Sequence, residues 1–87
     1  MRYKRSDQVK VKKVGNRTAL YVRKQKGIHV LNDTAFFIWD ALETPFTDGE
    51  LLYMLGEVFD GDPAVVKKDL DEILDLFLKY ELIQAEP

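Results

Sequence analysis

Cysteine is absent from the 87 residues of this chain, and histidine and serine each occur only once. Without cysteine, neither disulfides nor thiolate-bound metals hold the fold. One histidine, His29, and one serine, Ser6, are too few to supply the usual nucleophile with its base. The composition therefore predicts a protein that is not an enzyme.

Long apolar runs are also missing, since uninterrupted apolar segments are only a few residues long. A helix needs about 20 such residues to span a bilayer. No apolar stretch of a secretion signal follows the basic start. Nucleotide-binding glycine motifs are absent, and paired carboxylates such as Asp69 and Glu72 have no histidine nearby. We expect a cytoplasmic protein with no membrane contact, no metal and no cofactor.

Basic and acidic residues occupy different parts of the chain. Residues 1–26 contain ten of the thirteen Lys and Arg and one acid, whereas residues 27–87 contain three basic residues and fourteen acids. The two segments carry about +9 and −11, which agrees with the net charge of −2. Two interpretations stay open: both are solvated faces, or the basic segment steers an acidic partner.

The first third of the chain alternates apolar and polar residues, as half-buried strands do. The alternating apolar pairs are Val9 and Val11, Leu20 and Val22, and Ile28 and Val30. Turn-forming residues at 15–16 and 24–27 separate the three runs. We predict a three-stranded antiparallel sheet over residues 7–31, with a frayed segment before it. Ile28 and Val30 should face the core, and His29 should face solvent.

From residue 32 onward, the apolar period is that of helices. Asn32 suits the cap of a first helix, and Thr47 with Glu50 forms a capping box for a second. Asp62 followed by Pro63 opens a third helix that runs to about residue 80, and residues 82–83 follow as a short tail. The order predicts one α+β domain over residues 1–87, with helices in residues 32–83, of winged helix-turn-helix type.

A winged helix-turn-helix arrangement raises the question of DNA binding. A recognition helix needs cationic or amide side chains that face phosphates and bases. The second predicted helix has acids and no Lys or Arg, and acids outnumber lysines in the third. We therefore expect no nucleic-acid partner and keep a DNA-binding or regulatory winged helix as the alternative. A small structural subunit of an enzyme complex is a third hypothesis.

The helical region resembles a known family in the order and spacing of its caps and apolar residues. The segments that carry this resemblance are His29-Val30-Leu31-Asn32-Asp33-Thr34-Ala35, Trp39-Asp40-Ala41-Leu42, residues 47–59, Asp62-Pro63 and Leu82-Ile83. Over residues 27–84 the chain is similar to PqqD-like proteins. It departs at Glu81, where the family usually has glycine, so the glycine C-cap of the third helix is missing.

This resemblance implies non-catalytic recognition of the leader segment of a ribosomally made, modified precursor peptide. In the family, the leader binds as an added strand on the third strand, in a groove bordered by the third helix. A maturation enzyme, either a leader peptidase or a radical SAM enzyme, is the second partner that the resemblance implies. An open strand edge also pairs with copies of itself, so we expect a monomer or a weak dimer.

The expected binding residues come from the third strand and the third helix. On the strand they are Gly27, Ile28, His29, Val30 and Leu31. On the helix, whose apolar arc is wide, they are Val65, Val66, Asp69, Leu70, Ile73, Leu76 and Phe77. In this hypothesis, Ile28 and Val30 line the floor of the groove together with the central apolar residues of the helix.

Overall fold

The computed structural model describes residues 1–25 and 27–87. Its elements, in chain order, are β1 (Arg2–Arg5), β2 (Val9–Val14), β3 (Arg17–Val22), β4 (His29–Val30), α1 (Asp33–Ala41), β5 (Phe46–Thr47), α2 (Asp48–Val58), α3 (Pro63–Lys79) and β6 (Ile83–Glu86). The turn predicted at residues 24–27 includes Lys26, which lies outside the described residues. No helix in the described ranges is long and apolar enough to cross a membrane.

The predicted antiparallel sheet is present as the strand order β2-β3-β4, which we call the wing sheet. β2 and β3 pair along their whole length, from Val9 opposite Val22 to Val14 opposite Arg17. The turn between them uses Gly15 at φ 63°, a left-handed conformation that glycine adopts without a steric penalty. With the three helices that follow, this sheet confirms the predicted α+β, winged-helix-like fold.

A second sheet was not predicted. β1 lies between β5 and β6, and its register with β6 runs from Arg2 opposite Glu86 to Arg5 opposite Ile83. The prediction of a frayed start and a short tail is therefore wrong, because the two ends of the chain pair with each other. β1 contains a single apolar residue, Tyr3, so hydrophobic alternation does not reveal it.

The helix starts follow the capping residues predicted from the sequence. Asn32 accepts a hydrogen bond from the Ala35 N–H at 2.8 Å. Thr47 and Glu50 form the reciprocal capping box, with bonds of 3.1 and 2.8 Å. Hydrogen bonding of the Glu50 carboxylate to the backbone N–H of Thr47, and then to the Thr47 hydroxyl, lowers the pKa of Glu50. The Asp62 carboxylate caps α3, whose first residue is proline. All three predicted starts are confirmed.

Arg5 joins the sheet of strand order β5-β1-β6, which we call the terminal sheet, to the end of α1. Its guanidinium lies 4.6 Å from the centre of the Trp39 ring, and its Nε donates to the Trp39 carbonyl at 3.0 Å. Trp39 in turn meets the Phe77 ring of α3 edge to face, with centroids 6.3 Å apart. A cation at a helix C-terminus also interacts favourably with the helix dipole. β1 is therefore attached to α1 through Arg5 and, by way of Trp39, to α3.

The end of α3 shows how the chain manages without glycine at residue 81. Glu81 adopts a left-handed conformation with φ 58°. The Leu82 N–H donates to the Phe77 carbonyl at 2.8 Å, and the Glu81 N–H donates to the Leu78 carbonyl at 3.1 Å. This is the hydrogen-bond pattern of a Schellman cap. The Glu81 carboxylate also accepts from the Gln25 amide at 2.8 Å, which ties this cap to the turn that follows β3.

We predict that Glu81→Gly stabilises the protein. Removing the Cβ relieves about 1–2 kcal/mol of steric strain in the left-handed conformation. Glycine is also more flexible in the unfolded chain, and this entropy lowers the free energy of unfolding by about 0.5–1 kcal/mol. The expected net gain in the free energy of unfolding is about 0.5–1 kcal/mol, measured by chemical denaturation. Glu81→Ala is the control, because it loses the bond to Gln25 but keeps the Cβ. Equal stability of the two variants would contradict the strain.

Candidate peptide-binding groove

β4 is an open edge of the wing sheet, since no strand in the described residues pairs with its outer side. The Leu31 N–H donates to the Thr18 carbonyl at 2.9 Å, so these two residues form a hydrogen-bonded pair. In an antiparallel sheet, the residue next to such a pair directs its N–H and C=O to the other side. The backbone groups of Val30, which lies opposite Ala19, therefore point outward from the edge.

The side chains of this strand do not lie on the faces predicted for them. Ile28 and Val30 are 50% and 51% exposed, whereas His29 is half-buried. The prediction that Ile28 and Val30 face the core is wrong, because His29 pairs opposite the buried Leu20 and shares its face of the sheet. Leu31 is the buried apolar residue instead. Val30 therefore lies on the outer face of the sheet, away from the helices.

One flank of α3 lies beside β4. The ring of His29 packs at a tilt of 44° against that of Tyr80, the C-cap residue of α3, with centroids 4.3 Å apart. On the same flank, Ile73 is half-buried, and Leu76 and Val65 are 42% and 55% exposed. Residues three or four positions apart share one side of a helix, so this apolar flank follows the helix along its length. We call the space between it and the strand the β4–α3 groove.

The groove continues beyond β4 into two shallow cavities of about 170 Å³ each. The first cavity begins at Asn32, the residue after the edge strand and its buried Leu31, and is walled by Glu72 and Ile73 of α3. The second lies at the junction of α2 and α3. Both share Thr34 and Asp69, so they form a continuous path along the start of α3.

The predicted binding residues divide between the groove surface and the core. Leu31, Leu70 and Phe77 are 4%, 1% and 0% exposed, so they support the groove from beneath and offer no surface to a peptide. The residues on the surface are Gly27, Ile28, His29, Val30, Val65, Val66, Asp69, Ile73 and Leu76. The expected shared floor is also wrong, because Val30 and α3 lie on opposite faces of the wing sheet. Peptide contact at the surface residues stays a prediction.

Several groove residues were missed from the sequence. Asn32 and Thr34 belong to the cap and first turn of α1, and only the packing of α1 against α3 brings them to the groove. Phe59, at the end of α2, reaches the second cavity for a similar reason. Tyr80 was not missed in the same way, because the sequence placed it with Val65 and Leu76 on the apolar flank interpreted as the groove wall, although it was not among the expected binding residues.

Acidic side chains line the α3 side of the two cavities. They are Asp60, Asp62, Asp69 and Glu72. Within the described residues the ion pairs are Lys4–Glu86 and Lys67–Asp71, so none of the four carboxylates has a cationic partner there. In the same part of the chain, no cluster of acidic or histidine side chains is arranged to hold a metal ion.

The opposite border of the groove is basic. Arg17 reaches from β3 to the end of β4, where its Nη1 donates to the Leu31 carbonyl at 3.2 Å. The lysines of β2 lie further across the same sheet. The groove therefore lies between the basic residues of β2 and β3 and the acidic residues that line its cavities.

Fold and groove together define a winged-helix-like domain with an open strand edge beside its last helix. The sequence model of Coenzyme PQQ synthesis protein D (PqqD) matches residues 17–83. The chain therefore belongs to the PqqD family, and the resemblance seen in the sequence is confirmed. No curated protein matches the chain.

Two solved structures share the fold. One is TbiB1 in complex with the TbiA(beta) leader peptide, with a TM-score of 0.80, 21% identity and coverage of 97% of this chain and 98% of that one. The other is lasso peptide synthetase B1 complexed with the leader peptide, with a TM-score of 0.78, 13% identity and coverage of 95% and 98%. At these identities, the likeness establishes the architecture of this chain.

The corrected faces of β4 lead to a stability prediction. Leu31→Ala should lower the free energy of unfolding by about 2–5 kcal/mol, because it empties a core position. Val30→Ala should change it by about 0.5 kcal/mol, because the side chain is half exposed. Chemical denaturation of the two variants measures the difference. Equal losses would show that Val30 faces the core after all.

Proposed function

We propose that this chain binds the leader segment of a ribosomally made precursor peptide as an additional strand on β4. The observation that carries the proposal is the open edge at Val30, whose backbone groups face outward beside an exposed apolar flank of α3. Unpaired strand groups offer a peptide main-chain hydrogen bonds, and neighbouring surfaces select its side chains. The edge of β4 supplies the main-chain hydrogen bonds, and the apolar flank of α3 supplies a surface that selects side chains.

The groove gives an added strand two different environments. Side chains that point to the inner face of the wing sheet meet His29, Ile73 and Leu76. Those that point to the outer face lie beside Val30. Each apolar side chain of the leader that is buried there would contribute about 1.5–3 kcal/mol to the free energy of binding. Ordering the leader on binding would cost about 2–5 kcal/mol of this gain. Two or three apolar anchors are therefore needed for measurable binding.

Family and fold support this type of ligand. The two similar structures are both complexes with leader peptides, and the chain belongs to the PqqD family. In our proposal, the bound leader is presented to a maturation enzyme, either a leader peptidase or a radical SAM enzyme. Because the precursor is made on ribosomes, we place this step in the cytoplasm. The chain acts as a monomer or weak dimer, since leader and second copy compete for one edge.

The chain itself performs no chemistry in this proposal. Its single histidine packs against Tyr80 in the groove, and the sequence offers no cysteine and only one serine as nucleophiles. DNA binding is disfavoured by the exposed acids of α3, Asp69 and Glu72 among them, since phosphate would be repelled. A peptide backbone is uncharged, so the carboxylates of α3 do not repel it as they repel phosphate.

Titration of isotope-labelled protein with the leader of a precursor encoded near its gene should locate the binding surface. We expect backbone amide NMR shifts to concentrate at residues 27–31 and along one flank of residues 65–77. The reason is that strand addition changes the hydrogen bonding of β4 directly and covers α3. Shifts confined to residues 47–60, or none at micromolar peptide, would rule out this groove.

The Val30→Pro variant tests whether the leader forms a hydrogen bond with the backbone N–H of Val30. Proline removes the outward N–H and is tolerated on edge strands, so the fold should remain. We expect leader binding about three- to tenfold weaker than in Val30→Ala, which loses the side chain but keeps the N–H. Fluorescence anisotropy with labelled leader measures both affinities, and circular dichroism checks the folding. Equal affinities would count against a hydrogen bond to Val30.

A further inference from the structure

The second cavity at the end of the groove combines an apolar floor with an acidic rim. Its floor is formed by Phe59 and Val66, which are half-buried, and Leu55, which is fully buried, supports them from beneath. The Phe59 ring is held from behind by Phe37, edge to face, with centroids 5.7 Å apart. The floor is therefore a supported apolar surface within a cavity of about 170 Å³.

The rim of this cavity is made of three aspartates. Asp62 is engaged at the start of α3, where it accepts a hydrogen bond from the Ala64 N–H at 2.9 Å. Asp60 and Asp69 are exposed, and neither has an ionic partner among the described residues. Of the two lysines just before Asp69 on α3, Lys67 is paired with Asp71 at 2.7 Å, and Lys68 forms no ion pair among the described residues. No ion pair in the described part of the chain therefore engages the carboxylates of Asp60 and Asp69.

The cavity lies on the path of a strand bound to β4. The first cavity starts at Asn32, immediately past the edge strand, and shares Thr34 and Asp69 with the second. A peptide that pairs with Val30 and continues past Asn32 therefore reaches the aspartate rim. Parallel and antiparallel addition differ only in whether the C-terminal or the N-terminal end of the peptide passes Asn32, so one of the two ends reaches the rim in either orientation.

Apolar floor and acidic rim together suit one kind of side chain. Lysine and arginine bury an aliphatic stem on apolar surface while their charged head stays at its edge. An acidic side chain would be repelled by the rim, and an aliphatic one would cover the carboxylates without pairing them. Resting on the proposed function, we infer that the leader carries a lysine or arginine beyond its strand segment. Its stem lies on Phe59 and Val66, and its charge meets Asp60 and Asp69.

Selection from a random linear peptide library displayed on its messenger RNA tests the inference without a known precursor. Immobilised protein should enrich peptides with apolar residues at alternating positions and with Lys or Arg at one fixed distance from them. The best peptide is then resynthesised with that cation replaced by methionine, which keeps the stem and removes the charge. We expect the methionine peptide to bind about three- to fivefold more weakly.

Two charge-reversal variants of α3 test whether the lysine or arginine of the peptide interacts with the aspartates at the rim of the second cavity. With Asp69→Lys, the lysine and methionine peptides should bind with equal affinity, because the interaction between cation and rim is lost. Asp75→Lys is the matched control, since it makes the same change in net charge on the same helix about 120° away from Asp69. Asp75 faces β1, where its charge adds to the effect of burial that raises the pKa of Tyr3. This variant should keep the difference between the peptides.

The outcomes separate this inference from the proposed function. Loss of the peptide difference with Asp69→Lys alone supports the cation site. Selected peptides without a fixed cation, or an equal response to both reversals, overturn the inference and leave strand addition intact. Failure to enrich any peptide, or enrichment of peptides whose binding is unaffected by Val30→Pro, overturns the proposed function as well. Both reversed residues are exposed, and circular dichroism confirms that each variant folds.

Discussion

The hydrogen bond from the Leu31 N–H to the Thr18 carbonyl sets the register of β4, and much of the molecule depends on that register. It places His29 opposite Leu20 on the core side and directs the backbone of Val30 outward. It also brings Asn32 to the point where α1 must begin. A shift of one residue would exchange the two faces of the strand, burying Val30 and removing Leu31 from the core. The shape of the groove therefore follows from one backbone pairing.

The helices and their starts could be predicted because their signals are local. Thr47 and Glu50 cap α2 with bonds that span three residues, so the sequence contains both partners side by side. The pairing of β1 with β6 joins residues at opposite ends of the chain, and no local pattern encodes it. β4 is too short for alternation to identify its faces, because two residues fit either choice.

In the candidate site, too, local sequence patterns predicted some features, and contacts between distant residues determined the others. The wide apolar arc of the third helix predicted an exposed flank, and Val65 and Leu76 are exposed there. Periodicity alone could not separate that flank from the central stripe, so the buried Leu70 and Phe77 were grouped with it. The cavity at Phe59 depends on where α2 meets α3, which is a property of packing rather than of either helix. The left-handed Glu81 shows, in the same way, that a cap forms where hydrogen bonds require it, even without glycine.

The terminal sheet has a consequence for how this domain connects to other polypeptides. Arg2 lies directly opposite Glu86, and the Lys4–Glu86 ion pair at 2.8 Å lies beside them. Paired residues of antiparallel strands are only about 5 Å apart. A domain whose entry and exit adjoin fits into a surface loop of a host protein without forcing that loop apart, and its two ends can be joined and reopened elsewhere by circular permutation. Residues 2–5 and 83–86 thus lie side by side on one sheet, and the open strand edge lies on the other.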